Sequence, residues 1–141
     1  MPKNKPLRLV IDTNLWISFL ISDRQRKLDT LLYTNQIQLL FSEELLDEIH
    51  RTITKPKLQK YFSADALKEM LLTLEPYIHL IEVGSRVEVC RDPKDNFLLA
   101  LCKDGKADFL LTGDKDLLEI DKYGRTRILA ITKFFEHINH P

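Results

Sequence analysis

Four acidic residues in this sequence have the types and positions to do chemistry together. Asp12 closes the apolar run LRLVID (7–12), in Asp12-Thr13-Asn14. Glu48 lies in the helical stretch that follows a second apolar run, IQLLF (37–41). Asp95 opens the apolar helical stretch DNFLLALCKD, and Asp114 follows DFLLT (108–112) in Thr112-Gly113-Asp114. Asp92, just before Asp95, and Asp116, just after Asp114, are supporting candidates. Carboxylates aimed at one point repel one another, and some stay protonated unless a cation offsets them. Mg²⁺ and Mn²⁺ are hard ions that prefer carboxylate oxygen and water. Such a site can activate a bound water as a nucleophile and neutralise charge on a phosphate in transit. Asn14 is placed to orient a ligand or a water. Taken singly, each acid has a plainer reading. Asp12 and Asp95 could be helix N-caps, Asp114 a turn residue, and Glu48 a solvated helix residue near Glu44 and Asp47. What points to a site is that all four fall on the same edge of one sheet.

That sheet follows from the hydrophobic pattern. LRLVID (7–12), IQLLF (37–41), IHLIEV (78–83), DFLLT (108–112) and TRILA (126–130) read as five buried strands. Between them apolar residues recur at helical spacing: Thr13 to Ile21, RKLDTLLYTN, EELLDEIHRTIT, SADALKEMLLTLE and DNFLLALCKD. Ser42, Ser63 and Thr132 are expected caps, and Glu43 and Glu44 suit a first helical turn. Pro56 and Pro76 should stop their helices, and Gly105 is the expected glycine just past the end of the helix before it. Alternation of strand and helix predicts an α/β fold: a mainly parallel five-stranded sheet flanked by helices in three layers, joined by right-handed crossovers. The stretch from about 43 to 75 reads as a helical hairpin on one side of a cleft. Parallel sheets of this kind put their sites beyond the carboxyl ends of the strands.

Size and composition bound the rest. The 141 residues suggest a single domain, 1–141. Lys plus Arg equals Asp plus Glu at 21 each, which argues against coating nucleic acid by bulk charge. Local basic stretches remain: Arg24, Arg26 and Lys27, then Arg51, Lys55, Lys57 and Lys60. They could line a solvated face or grip a phosphate backbone. No apolar run is as long as a membrane helix, and MPKNKPLRLV has no apolar leader core, so a cytoplasmic protein is expected. Cys90 and Cys102 form no CxxC and are expected to be reduced thiols. Trp16 could stack on a base, but core packing is the expectation.

Several classes fall away. The first glycine is Gly84, so no Gly-rich phosphate loop follows the first strand. His50, His79, His137 and His140 show no zinc-binding spacing. Asn14 occupies the place where a haloacid dehalogenase-like phosphatase has its second Asp. Asp12 has no acidic neighbour, and the second strand ends in Phe41-Ser42, unlike a receiver domain.

In order and spacing, VIDTNLWISFL, FSEELLDEIHRTITKPKLQKYF, CRDPKDNFLLALC and ADFLLTGDKDLLEI resemble the PIN domain. The likeness runs from about residue 7 to 135 and is strongest to the group described as toxins of bacterial toxin–antitoxin systems. The resemblance implies a metal-dependent ribonuclease. The family's acids fall on Asp12, Glu48, Asp95 and Asp114, which would hold one or two Mg²⁺ or Mn²⁺ ions. Its Asn falls on Asn14, its hydroxyl partner on Thr112 and a further acid on Asp116; Asp92 could share the role of Asp95. Single-stranded RNA is the implied substrate, with an antitoxin as partner and a homodimer as the implied assembly, through the helices at 25–34 and 63–75. A binding module of the same fold, with cleavage weak or lost, is the alternative from another class. A structure-specific DNA nuclease would usually need extra helical arches and a longer chain.

Overall fold

A computed structural model describes residues 5–22, 26–63 and 65–139. Strand β1 (Leu7–Ile11) leads into α1 (Thr13–Ile21), and α2 (Arg26–Tyr33) into β2 (Ile37–Phe41). Helices α3 (Glu43–Ile53), α4 (Pro56–Gln59) and α5 (Ala66–Leu74) precede the short strand β3 (Ile78–Leu80). After an extended segment come α6 (Asn96–Gly105), β4 (Phe109–Leu111), α7 (Lys115–Leu118), β5 (Lys122–Tyr123), β6 (Thr126–Leu129) and α8 (Ile131–Asn139). The sheet runs β3-β2-β1-β4-β6-β5 and is parallel except for the β5–β6 pair. The fold is therefore α/β, with a mainly parallel sheet flanked by helices, and it has six strands instead of the expected five. The extra one, Lys122–Tyr123, folds back antiparallel on Thr126–Arg127 through Gly124, whose φ of +59° suits a residue without a side chain.

The central strands read as unbroken apolar runs because both their faces are covered. Leu9, Val10, Ile11, Leu39, Leu40, Phe41, Leu110 and Leu111 are all buried in one core. Trp16 belongs to it, with its ring centroid 5.7 Å from that of Phe19, edge-on, and 5.1 Å from that of Phe41. Cys90 and Cys102 are buried free thiols, and burial pushes the Cys102 thiol up to about 12, so it is unreactive at neutral pH. Among the described residues, no helix is long and apolar enough to cross a membrane.

Several local expectations change. The third strand stops at Leu80; Ile81 donates to the Phe41 carbonyl at 2.8 Å, and the chain then runs on extended without pairing into a strand. Gly105 is the last residue of α6 and not the residue beyond it; Lys106 takes the left-handed conformation, φ 53°. The glycine instead allows a close approach to neighbouring side chains. A Cβ there would come 2.8 Å from Leu40 Cδ1 and 3.3 Å from Ile81 Cγ1. Thr132 lies inside α8, which starts at Ile131, so it is not the cap. Ser63 does not cap α5 either: Asp65 precedes that helix, with no side-chain cap bond. Pro56 does end the α3 region, but as the first residue of α4, where its missing N–H is harmless. Ser42 caps α3 as expected, its Oγ accepting from Leu45 N at 3.1 Å.

Candidate active site

The sheet order creates the site. From β1 the chain builds outward through β2 to β3, then returns to the other flank of β1 as β4 and β6. The reversal falls between β1 and β4, where an open parallel sheet leaves a crevice at its carboxyl edge. Register then decides what lines it. Ile11 is opposite Leu111, so the next residues, Asp12 and Thr112, meet side by side at the strand ends. The Asp12 N–H continues the ladder by donating to the Leu111 carbonyl at 3.1 Å.

Asp12 is 5% exposed and held from several sides. Thr112 Oγ1 donates a short hydrogen bond to its Oδ2, and Leu15 N donates to its Oδ1 at 2.8 Å. Asp12 is therefore both the N-cap of α1 and a fixed carboxylate at the strand tip, so the cap bond and a functional role are compatible. Burial pushes its carboxyl up, the Thr112 and Leu15 hydrogen bonds pull it down, and Asp114 pushes it up again. Thr112 is also buried, and its hydroxyl accepts the Asp114 N–H at 3.0 Å. One side chain thus ties the first acid to the loop that carries the fourth. Asp114 caps α7, its Oδ1 accepting from Asp116 N at 2.8 Å.

Asp95 completes the cluster from a third segment. It ends a single 3₁₀ turn, Pro93–Asp95, just before α6, and makes no side-chain cap bond. Asp95 does stand at the N-cap position of α6, but its side chain makes no cap bond; Asp92 caps the preceding 3₁₀ turn, its Oδ1 accepting from Lys94 N at 3.1 Å. Asp95 Oδ2 is buried with no hydrogen-bond partner. Its carboxyl is pushed up to about 7, first by burial, then by a hydrogen bond and charge repulsion from Asp114, then by Asp92 and Asp12. The Cys90 thiol is also raised, by burial and then by Asp95, Asp114 and Asp116, so it stays protonated beside the acids.

The structure thus brings Asp12, Thr112, Asp114 and Asp95 together, with Asp92 acting on Asp95 from the adjoining turn. Glu48 has a different partner. Its Oε2 is engaged by Arg51 Nη2 at 2.8 Å on the flank of α3. Asn14 is exposed in the first turn of α1. Asp116 points its Oδ1 toward Arg91 Nη1 at 3.9 Å. Of the basic residues named from sequence, Arg24 and the side chain of Arg26 lie outside the described residues. Lys27 sits over the Phe135 ring and Lys60 over that of Tyr61. A cleft of about 990 Å³ lies between α3, the extended segment after β3 and α6, lined by Glu43, Glu44, Asp47, Arg51, Arg86 and Asn96 among others. None of the four named acids lines it.

Asn96 is a site residue that patterning missed. Its Oδ1 accepts from Val89 N at 3.2 Å and Cys90 N at 2.8 Å, fixing the entry to the loop that carries Asp92 and Asp95. The only signal in the sequence is an amide directly after Asp95 at a helix start.

Among the described residues, no three Asp, Glu, His or Cys side chains converge tightly enough to close around one ion as they stand. The donor chemistry nevertheless fits a hard divalent cation. Buried Asp12 and Thr112 meet half-buried Asp95 and Asp114, one Asp95 oxygen has no hydrogen-bond partner, and burial followed by the Asp114, Asp92 and Asp12 carboxylates drives Asp95 toward holding a proton. The sequence model of the PIN domain matches residues 8–116 of the chain. No curated protein matches it.

Proposed function

The chain belongs to the PIN-domain family, and from that premise we propose that it is a divalent-metal-dependent endoribonuclease acting on single-stranded RNA. PIN domains are generally nucleases and typically use divalent metal ions. The observation that carries the finer reading is the meeting of Asp12, Asp95 and Asp114 at the switch point between β1 and β4. A Mg²⁺ or Mn²⁺ ion held by Asp12, Asp95 and Asp114 would supply an activated water for in-line attack on a phosphodiester and would offset charge on the phosphate.

The chain's own part is preorganisation. Thr112 and the Leu15 N–H fix both oxygens of Asp12, so this carboxylate keeps its position as charge changes around it. Burial and the neighbouring Asp114 carboxylate raise Asp95 to about 7, so a bound cation would favour its ionised form. Glu48, the family's second acid, enters only if its carboxylate leaves Arg51, an exposed pairing of little net strength. Asn14 and Asp116 are second-rank candidates for orienting water and the other acids.

The reading extends to a cytoplasmic toxin with an antitoxin partner and a homodimeric assembly. An apolar groove of about 870 Å³ supports a docking role; it is lined by Ile53, Phe62, Leu67, Leu71 and Leu72 of the α3–α5 region. Light scattering of the purified chain tests the dimer, and co-expression with the product of the neighbouring gene tests the antitoxin. The activity test is incubation with end-labelled single-stranded RNA and matching DNA in Mg²⁺, Mn²⁺ or EDTA, beside Asp12→Asn. Metal-dependent cutting of RNA alone, lost in Asp12→Asn, is the expected result. Cutting that survives EDTA or Asp12→Asn overturns it. Metal binding without cutting would keep the site but point to a narrow substrate, and neither cutting nor metal binding would favour the binding-module reading.

A further inference from the structure

Arg91 lies outside both basic stretches of the sequence, yet its guanidinium sits on the rim of the acid cluster. Nη2 is 3.1 Å from Glu119 Oε2 and Nη1 is 3.9 Å from Asp116 Oδ1, while the side chain is 75% exposed. Asp116 is itself bound through its N–H to Asp114 Oδ1, so the Arg91 fork stands one step from the carboxylate that faces Asp95. The root of Arg91 is equally fixed. Asn96 holds the N–H groups of Val89 and Cys90 on one side, and Asp92 caps the next turn on the other. This is a cation with a defined address.

An RNA strand entering a cluster of acids meets repulsion at every phosphate that no cation covers. A guanidinium matches two phosphate oxygens in one plane, and exposed ion pairs hold little net free energy, so exchanging carboxylate partners for phosphate is easy. Arg51 pairs within its own helix, with Glu48 at 2.8 Å and Asp47 and Glu44 close by, whereas Arg91 pairs on the side of the site that carries Asp114. We propose that Arg91 is the anchor for an RNA phosphate adjoining the one that is cut, leaving Glu119 as the strand binds. The proposal rests on the nuclease reading of the site.

The competing role is a structural clamp between the Asp92–Asp95 loop and α7. Three variants of the full chain separate the two: Arg91→Gln, Glu119→Gln and the double substitution. Binding of fluorescent single-stranded RNA is measured across a KCl series in the Asp12→Asn background, and cleavage kinetics in the otherwise unaltered chain. Loss of one phosphate contact should flatten the plot of log K against log salt by about 0.7. The expected result for Arg91→Gln is that flattening, with KM raised roughly 10-fold and kcat within about threefold; losing one charge-assisted contact is the basis. Glu119→Gln should bind RNA as well as or better than the parent, and Arg91→Gln should cost the same in either background. If Glu119→Gln reproduces the Arg91→Gln loss, or if the salt slope does not change, Arg91 is a clamp and the proposal is overturned. If the unaltered chain cuts RNA while Arg91→Gln matches it, only the anchor falls. If the unaltered chain neither binds nor cuts RNA, the nuclease reading falls and takes the anchor with it.

Discussion

Thr112→Val is the sharpest test of how the site is held together. Valine keeps the shape of threonine in a buried position, so no cavity opens, but the hydroxyl goes. Two partners lose it: Asp12 Oδ2, which accepts its proton, and the Asp114 N–H, which donates to it at 3.0 Å. A hydrogen bond to a charged group contributes roughly 1.5–3 kcal/mol and one between neutral groups about 1 kcal/mol. The metal-free variant should therefore lose about 3 kcal/mol, or roughly 10 °C in Tm for a chain of this size. Thr112→Ser keeps the hydroxyl and drops one methyl, which costs about 1 kcal/mol. The two variants together isolate the hydroxyl. The pH dependence adds a sign. The bond favours ionised Asp12 and lowers its pKa, so removing it raises the pKa further. The gap between parent and Val variant should then be widest where Asp12 is ionised and should narrow as pH falls through its titration. Denaturant unfolding in EDTA at pH 8 and pH 4 measures both effects. If Val costs no more than Ser, or if the gap widens in acid, the account of Thr112 is wrong.

Other perturbations test neighbouring parts. Asp95 is raised from its usual 3.8 to about 7, so its contribution to stability is full below pH 3.8 and is lost as pH rises through 7. In EDTA, Asp95→Asn should gain stability relative to the parent between pH 4 and 7.5, and saturating Mn²⁺ should shrink that gain; a flat difference in thermal-melt series would refute the charge cluster. Asn96→Ala removes the acceptor for Val89 and Cys90 N–H and should cost about 2 kcal/mol, counting about 1 per bond. It should also speed hydrogen exchange at 89–92, and unchanged exchange there would argue against its tethering role. Gly105→Ala sets a Cβ against buried Leu40 and should destabilise by about 1 kcal/mol in urea titrations, against the gain its better helix propensity would give elsewhere. A stabilised variant would show that Leu40 yields easily.

How much was legible beforehand differs from residue to residue. β1 and β2 were plain because continuous apolar runs report burial on both faces, whatever the partner. β5 was not, since a two-residue strand carries no periodicity and exists only because Thr126–Arg127 lies beside it. The ends of α5, α6 and α8 shifted by a residue or more from their expected caps. Tertiary packing settles such ends: Gly105 is kept small by Leu40 and Ile81, not by a left-handed backbone. Among the acids, the spacing marked Asp12, Asp95 and Asp114 as strand-edge residues, and the fold brought them together. The same reasoning gave Glu48 equal rank, yet a neighbour one turn away on its own helix engages it.

The sequence by itself determined the α/β class, the strands β1 and β2 and which acids are candidates, because hydrophobic period and residue type are local and survive without a partner. Only the tertiary structure decided which of those groups meet. Thr112 reaches Asp12 across 100 positions because β1 and β4 are adjacent and Ile11 pairs with Leu111. Arg91 comes to the rim of the acids because α7 lies across from its loop. Neither contact leaves a local trace, since sheet order and register are set by how the whole chain buries its apolar surface.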